Sequence, residues 1–508
     1  MSTHAVVAEK PKNALGPAES RPLPAAPPDP TVAIRTLLVA AFVVILNETL
    51  MAVATPKIMQ AFGIGAGVAQ WVSTAFMLTM GVVIPVTGFL IQRFRTRTLF
   101  QAALGLFCLG TAISGLAPVF PLLVLGRVVQ ASGTAIMMPL LMTTILALVP
   151  PERRGAAMGN VTVVIAVAPA LGPTISGMIV QHYTWRFLFL FVLPIALAAL
   201  FYGRRTLVNV TEPSRAKLDV ASVVLSALAF GGIVFGFTNA GEGGGGWGSP
   251  LVAAPLAVGL AALALFARRQ LALAHPVLNL RAFGHPAFAL SASIVGAVMA
   301  LLFSTIILLP LFLQSAHGLT PLQTGMLMLP GGTLLGVAAP LVGRASDRWG
   351  PAVLATGGAL ALMASLFLFA RISPGTPIPQ IIATHCAMTL GVSLLMTPVQ
   401  ATGLNHLPRF MHPHGAAIIG TVQQVSGAVG TALLVTVMTT QTHAALALAG
   451  AGTSPAARLA ATAHGFHSAF TVSAVLSVVP LALVLWLVLH LKRAPAPAAE
   501  GGPVFSGH

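Results

Sequence analysis

From Thr31 onward the chain reads as long apolar runs separated by short polar breaks. A helix needs about 20 mainly apolar residues to cross a hydrocarbon layer, and the runs predict about fourteen such helices. They fall at 34–55, 70–91, 99–117, 121–147, 156–180, 186–203, 219–239, 250–267, 286–314, 323–343, 351–370, 378–400, 414–440 and 467–491. A membrane β-barrel would alternate apolar and polar positions, and these runs do not. The fold class is therefore all-α and integral to a membrane.

The polar breaks test the count, because cytoplasmic loops concentrate Lys and Arg. With the amino end inside, the inside breaks hold Arg93, Arg95 and Arg97; Arg153 and Arg154; Arg204, Arg205, Arg215 and Lys217. They continue with Arg268, Arg269 and Arg281; Arg344 and Arg348; Arg409; and Lys492 with Arg493. Lys10, Lys12, Arg21 and Arg35 precede the first span. The opposite breaks hold only Lys57, Arg186, Arg371 and Arg458. A miscounted helix would invert this pattern downstream, so the expectation is an even count with both termini cytoplasmic.

Composition agrees. The chain is 508 residues long, 56% hydrophobic and 7% charged, with a mean hydropathy of +0.91. A soluble domain cannot cover its surface with so few polar groups. The formal charge of +16 is spread between apolar runs, which is the mark of topology and not of a nucleic-acid surface. Residues 1–33 and 493–508 read as polar cytoplasmic tails, the first without the core of a signal peptide. Cys108 and Cys386 lie far apart inside apolar runs and give no disulfide framework.

Two inside breaks resemble one another. GFLIQRFRTR starts at Gly88 and GRASDRWGP at Gly343. Each places a polar or acidic residue four positions after the Gly, then Arg: Gln92 and Arg93 in the first, Asp347 and Arg348 in the second. Their places imply a duplication, with residues 34–205 and 282–492 as six-helix halves and two extra central spans within 206–281. Transporters built from parallel repeats have this layout.

On these residues the chain resembles the major facilitator superfamily, in its fourteen-span drug:proton antiporter branch. Gly343, Asp347, Arg348 and Gly350 match the family's G-x-x-x-D-R-x-G loop; in the first copy Gln92 replaces the Asp and Arg95 the last Gly. LGRVVQASGTA carries Arg127, Gln130 and Gly133 of the pattern R-x-x-Q-G-x-G. APALGPTISG carries Gly172, Pro173 and Gly177 of the antiporter motif, which in this family marks exporters. LNETLMAVATP resembles L-D-x-T-x-x-N-V-A-L-P, with Asn47 for the Asp and the acid moved to Glu48. The resemblance implies export of small molecules in exchange for protons across the inner (plasma) membrane. It also implies a periplasmic membrane-fusion adaptor and outer-membrane channel as partners for some members, beside the lipid bilayer itself.

The residues support that chemistry on their own. Glu48 lies thirteen residues past Arg35, about 20 Å at 1.5 Å per residue, where an ionised carboxylate costs a few kcal/mol. An acid so placed fits the loading and release of a proton; neutral packing beside Asn47 or Thr49 is the plain alternative. Arg127 keeps its charge and needs a polar partner in the bundle interior, either Glu48 in alternation or fixed carbonyls. Gly172 and Pro173 predict a broken ladder and close helix approach. Met51, Met137 and Met138 offer adaptable apolar surface to a ligand, and Gln314, Gln423 and Gln424 polar contacts; each of these also fits plain packing. Asn47 and Gln130 complete the expected cavity set.

No G-x-x-x-x-G-K-[ST] loop is present, so nucleotide drive is not expected, and no cofactor or metal is. GEGGGGWG, from Gly241, lacks the Lys-Ser/Thr of a phosphate loop and reads as a connector. His412 and His414 read as a solvated turn. Two other readings remain: an exporter or facilitator of an endogenous metabolite on the same fold, and an intramembrane enzyme, for which no nucleophile and base pair is evident.

Overall fold

A computed structural model describes residues 30–149, 154–207, 209, 219–241, 248–274, 276–408, 411–449 and 454–493. The tails and the Gly-rich connector at 242–247 lie outside the described residues. Where lipid cannot hydrogen-bond the backbone, each apolar run closes its own ladder as a helix. The order is α1 Pro30–Phe62, α2 Ala66–Ala69, α3 Trp71–Arg93, α4 Thr96–Leu116, α5 Phe120–Leu148, α6 Arg154–His182, α7 Arg186–Thr206, α8 Val220–Gly241 and α9 Pro250–Ala272. It continues with α10 Pro286–Ser315, α11 Pro321–Trp349, α12 Pro351–Phe369, α13 Ile378–Asn405, α14 His412–Ala449, α15 Pro455–Leu476 and α16 Val478–Arg493. Thirteen candidate spans, one of them α15 and α16 together, are long and apolar enough to cross a membrane among the described residues. α6, packed along α1 and α11, completes the bundle.

The last span differs from its sequence reading. It begins at Pro455, capped by Ser454, twelve residues before the apolar run starts. It then breaks at Ser477. Pro480 removes the donor to the Leu476 carbonyl, one turn back, which accounts for the break. α14 likewise runs to Ala449, nine residues past the predicted end.

Two large apolar cores organise the helices. One joins residues from Ala33 to Leu207; the other joins residues of the second six spans and their neighbours, reaching Leu487. One core gathers the helices before α8 and the other gathers mainly those after α9. They meet along two seams. On one, α6 lies on α11, with Gly325 against Pro173 and Thr174, Gly177 against Pro321 and Leu322, and Gly332 against Ala170. On the other, α3 lies on α14, with Gly81 against Val425 and Gly420 against Ile84. Small residues at such crossings let backbones approach closely.

The two extra helices flank the second seam. α8 and α9 cross where Gly232 faces Gly259. A small core then joins Met77 and Leu78 of α3, Phe230 and Val234 of α8, Ala262 of α9 and Ala428 and Ala432 of α14. α8 is also bonded to both halves: Gln70 Nε2 donates to Thr238 Oγ1 at 3.3 Å, and Thr436 Oγ1 donates to the Phe237 carbonyl at 2.8 Å. At the other end of the hairpin Arg269 grips Asp219 with two bonds of 2.8 and 2.9 Å.

The repeated loops turn differently. Gly350 ends α11 and opens α12 with φ +82°, a conformation that needs Gly. The first loop passes through extended Phe94 and Arg95 (φ −118° and −64°). No left-handed residue is required there, which is why Arg95 can stand in the place of the glycine.

Candidate functional site

The buried polar centre of the first half is built around Arg127. Eight residues into α5, its side chain is fully buried. Nε donates to the Val72 carbonyl at the start of α3, 3.0 Å away. Nη1 donates to Asn47 Oδ1 at 2.8 Å and to Gln130 Oε1 at 2.6 Å. Gln130 is one turn on, the spacing that puts two side chains on one helix face. Its Nε2 donates to Thr111 Oγ1 of α4, which donates to the Phe107 carbonyl. The guanidinium also lies 4.1 Å from the Phe76 ring centroid, a cation–π contact. Arg127 Nη2 and Asn47 Nδ2 find no protein acceptor.

Glu48 turns elsewhere. One position along α1 rotates a side chain by about 100°, and the half-buried Glu48 carboxyl meets the Gln424 side chain of α14, with the Arg127 charge within Coulomb range. Gln424 Oε1 has no protein partner. Among the described acids, Asp219 and Asp347 stand at helix ends; Glu48 alone lies in mid-span. About a turn and a half further along α1, Gln314 of α10 donates from Nε2 to the Val53 carbonyl at 3.0 Å. The halves thus meet on α1 at two glutamines.

Gly172 and Gly177 serve two different neighbours. A Cβ on Gly172 would strike Thr49 of α1, next to Glu48, and one on Gly177 would strike the Pro321 carbonyl of α11. The motif helix is wedged between the acid-bearing helix and the opposite half.

The expected cavity set divides. Asn47 and Gln130 are tied into the Arg127 network. Met51 and Met137 are fully buried in the first core, and Met138 packs beside them. Gln423 is half-buried. Gln314 lines a cavity of about 510 Å³ at the end of the bundle where α1 finishes, and the others of the set do not line it. Its walls come from α1 (Pro56, Lys57, Met59, Gln60), α10 (Leu311, Ser315), α14 (Met438, Thr439, Thr442, His443) and α15 (Thr462, Phe466). Gly88, Gln92, Arg93, Gly343 and Arg348 stand at the opposite end, in or beside the exposed turns; the Asp347 side chain lies outside the described residues. His412 Nε2 pairs with the Leu407 carbonyl at 3.0 Å, and no metal-ligating cluster exists among the described residues. Sequence reasoning missed Thr111, Phe76 and the Val53 carbonyl, and it named Thr49 only as a packing neighbour of Glu48, not as the residue against Gly172. Their roles come from contacts between distant segments, which leave no local signal.

Residues 37–431 match the family model of the Major Facilitator Superfamily. The chain belongs to that superfamily. It is 41% identical over 446 residues to the lincomycin resistance protein LmrB of Bacillus subtilis, covering 88% of this chain and 93% of that one. It is 40% identical over 473 residues to the MFS-type transporter YcnB of the same organism, covering 93% and 97%. With the puromycin resistance protein pur8 of Streptomyces alboniger it shares 31% over 489 residues, 94% and 96% of the two chains. Among solved structures it resembles a bacterial homolog of the human lysosomal transporter Spinster in an inward-facing, unoccupied conformation. There the TM-score is 0.65 at 16% identity, over 92% of this chain and 99% of that one. That last likeness concerns the fold alone.

Proposed function

We propose that this superfamily member is a proton-coupled antiporter that exports lipophilic or cationic drugs across the plasma membrane. The observation that carries the reading is the seat of Glu48: a mid-span acid at the contact of the two halves, beside Gln424, with the Arg127 network behind it. Rocking of the halves would expose this carboxyl to one side and then the other, so that protonation and conformation are linked. The resistance proteins among its relatives support drugs as cargo. The distribution of Lys and Arg supports both termini, and the Gly88 and Gly343 turns, on the cytoplasmic side. Residues 34–205 and 282–492 are then the two moving bodies. One proton crossing about 150 mV supplies near 3.5 kcal/mol, enough to hold a few hundred-fold gradient of a neutral substrate.

The test is Glu48→Gln in proteoliposomes with an imposed pH gradient and a panel of cationic and neutral drugs. Export driven by the gradient should vanish while the variant stays folded in the membrane. Unimpaired gradient-driven export would overturn the assignment of Glu48. Export of a metabolite but of no drug in the panel would favour the endogenous-substrate reading.

A further inference from the structure

The cavity at the Lys57 end has an unusual balance of chemistry. At about 510 Å³ it is in the range of drug-sized sites. Apolar walls from Met59, Leu311, Met438 and Phe466 would suit a lipophilic body. Its charged or chargeable groups are Lys57 on α1 and His443 on α14, and no acid lines it.

The hydroxyl groups carry a second signal. Ser315 donates to the Leu311 carbonyl, Thr439 to Thr436, Thr442 to Met438 and Thr462 to Arg458. Their protons are spent on their own helices. The side-chain donors left to meet a ligand are therefore those of Lys57, Gln60 and His443, with the second N–H of Gln314. Below them, Gln314 closes the floor on the Val53 carbonyl. Glu48 lies five residues deeper, about 7.5 Å along the helix.

We propose that this cavity is the release compartment of the transport path, and that Lys57, aided by His443, makes it select by charge, holding uncharged or anionic ligands and expelling cations. A cation leaving the Glu48 level enters a compartment with no counter-charge, so it departs quickly and re-enters poorly. The assignment of release to this end rests on the proposed orientation; the charge selection does not.

The two parts can be tested separately. Ser315→Cys places a nearly isosteric thiol on the cavity wall, in a chain where Cys108→Ala and Cys386→Ala remove the native thiols. Its labelling rates with an anionic and a cationic methanethiosulfonate reagent are normalised to those of a free thiol. The reagents differ by two charges across a cavity about 10 Å wide, so the anion should be favoured about fivefold in low salt, less in high salt. Adding Lys57→Glu should reverse the preference, and Lys57→Gln should abolish most of it. Equal normalised rates, or a preference indifferent to Lys57, would overturn charge selection. Labelled Ser315→Cys should lose export; retained export would overturn the release compartment. Charge selection without any export in the unlabelled protein would count against the antiporter reading and leave the charge-selective cavity standing.

Discussion

Arg127 Nη1 donates to Asn47 Oδ1 at 2.8 Å, so the position where related patterns carry an aspartate here holds an uncharged acceptor, and the acid beside it faces the other half. The division separates two tasks. Asn47 anchors the arginine within the first half. Glu48 is free to meet the second.

That separation predicts opposite effects of two substitutions. Asn47→Leu removes one of the three acceptors of a buried guanidinium and should cost about 1–3 kcal/mol. Asn47→Asp supplies a carboxylate to Arg127 and should hold or raise stability, yet bind the arginine so firmly that export slows. Thermal unfolding in detergent, read beside transport, checks both; equal stability of the three proteins would contradict the anchoring role.

Gln424 should matter more than its neighbour Gln423. Gln424→Leu deprives Glu48 of its partner across the halves and should reduce gradient-driven export about tenfold, the effect of about 1.4 kcal/mol. Gln423→Leu should change it little. A comparable loss in both variants would mean that Glu48 gains nothing particular from this amide.

Gly172→Ala should be destabilising by about 1–3 kcal/mol through overpacking against Thr49. Thr49→Ala removes the nearer of the two atoms that the new methyl would strike, Oγ1, and leaves Cβ, so it should restore part of the loss. The measurement is a double-mutant cycle on unfolding; simple additivity would show that the two sites do not touch in the folded protein.

Asp219 gives a pH prediction. The Arg269 hydrogen bonds hold its carboxyl at about 2, below the usual carboxylate value of about 3.9. A depressed value means that the clamp contributes fully above pH 4 or so and is lost as the pH falls through about 2. The pair is exposed to solvent and screened by it, so its contribution is small. Asp219→Asn should thus lower the unfolding temperature slightly at pH 7, and the difference should shrink to nothing as the medium becomes strongly acid.

The helical class and the approximate span number were legible because lipid leaves the chain few options: length, apolarity and the placing of Arg and Lys define a helical bundle. Glu48 and Arg127 stood out for the same reason, being charges where charges are costly. The partners did not stand out. Nothing local distinguishes Gln424 from Gln423, or says that Gly172 serves Thr49 while Gly177 serves Pro321. Those pairings arise when segments hundreds of residues apart are laid side by side. The early start of α15 was hidden because its first turns, around Arg458 and His464, are too polar to extend an apolar run.

Phe237 and Thr238 take hydrogen bonds from opposite halves, so α8 is fastened on both sides of the α3–α14 line. Any motion that parts those helices must stretch or carry this tendon, whereas α8 and α9 do not pack along α6 or α11. The bundle should therefore open like a book bound along one spine, widest at the α6–α11 edge, and not as two jaws parting evenly.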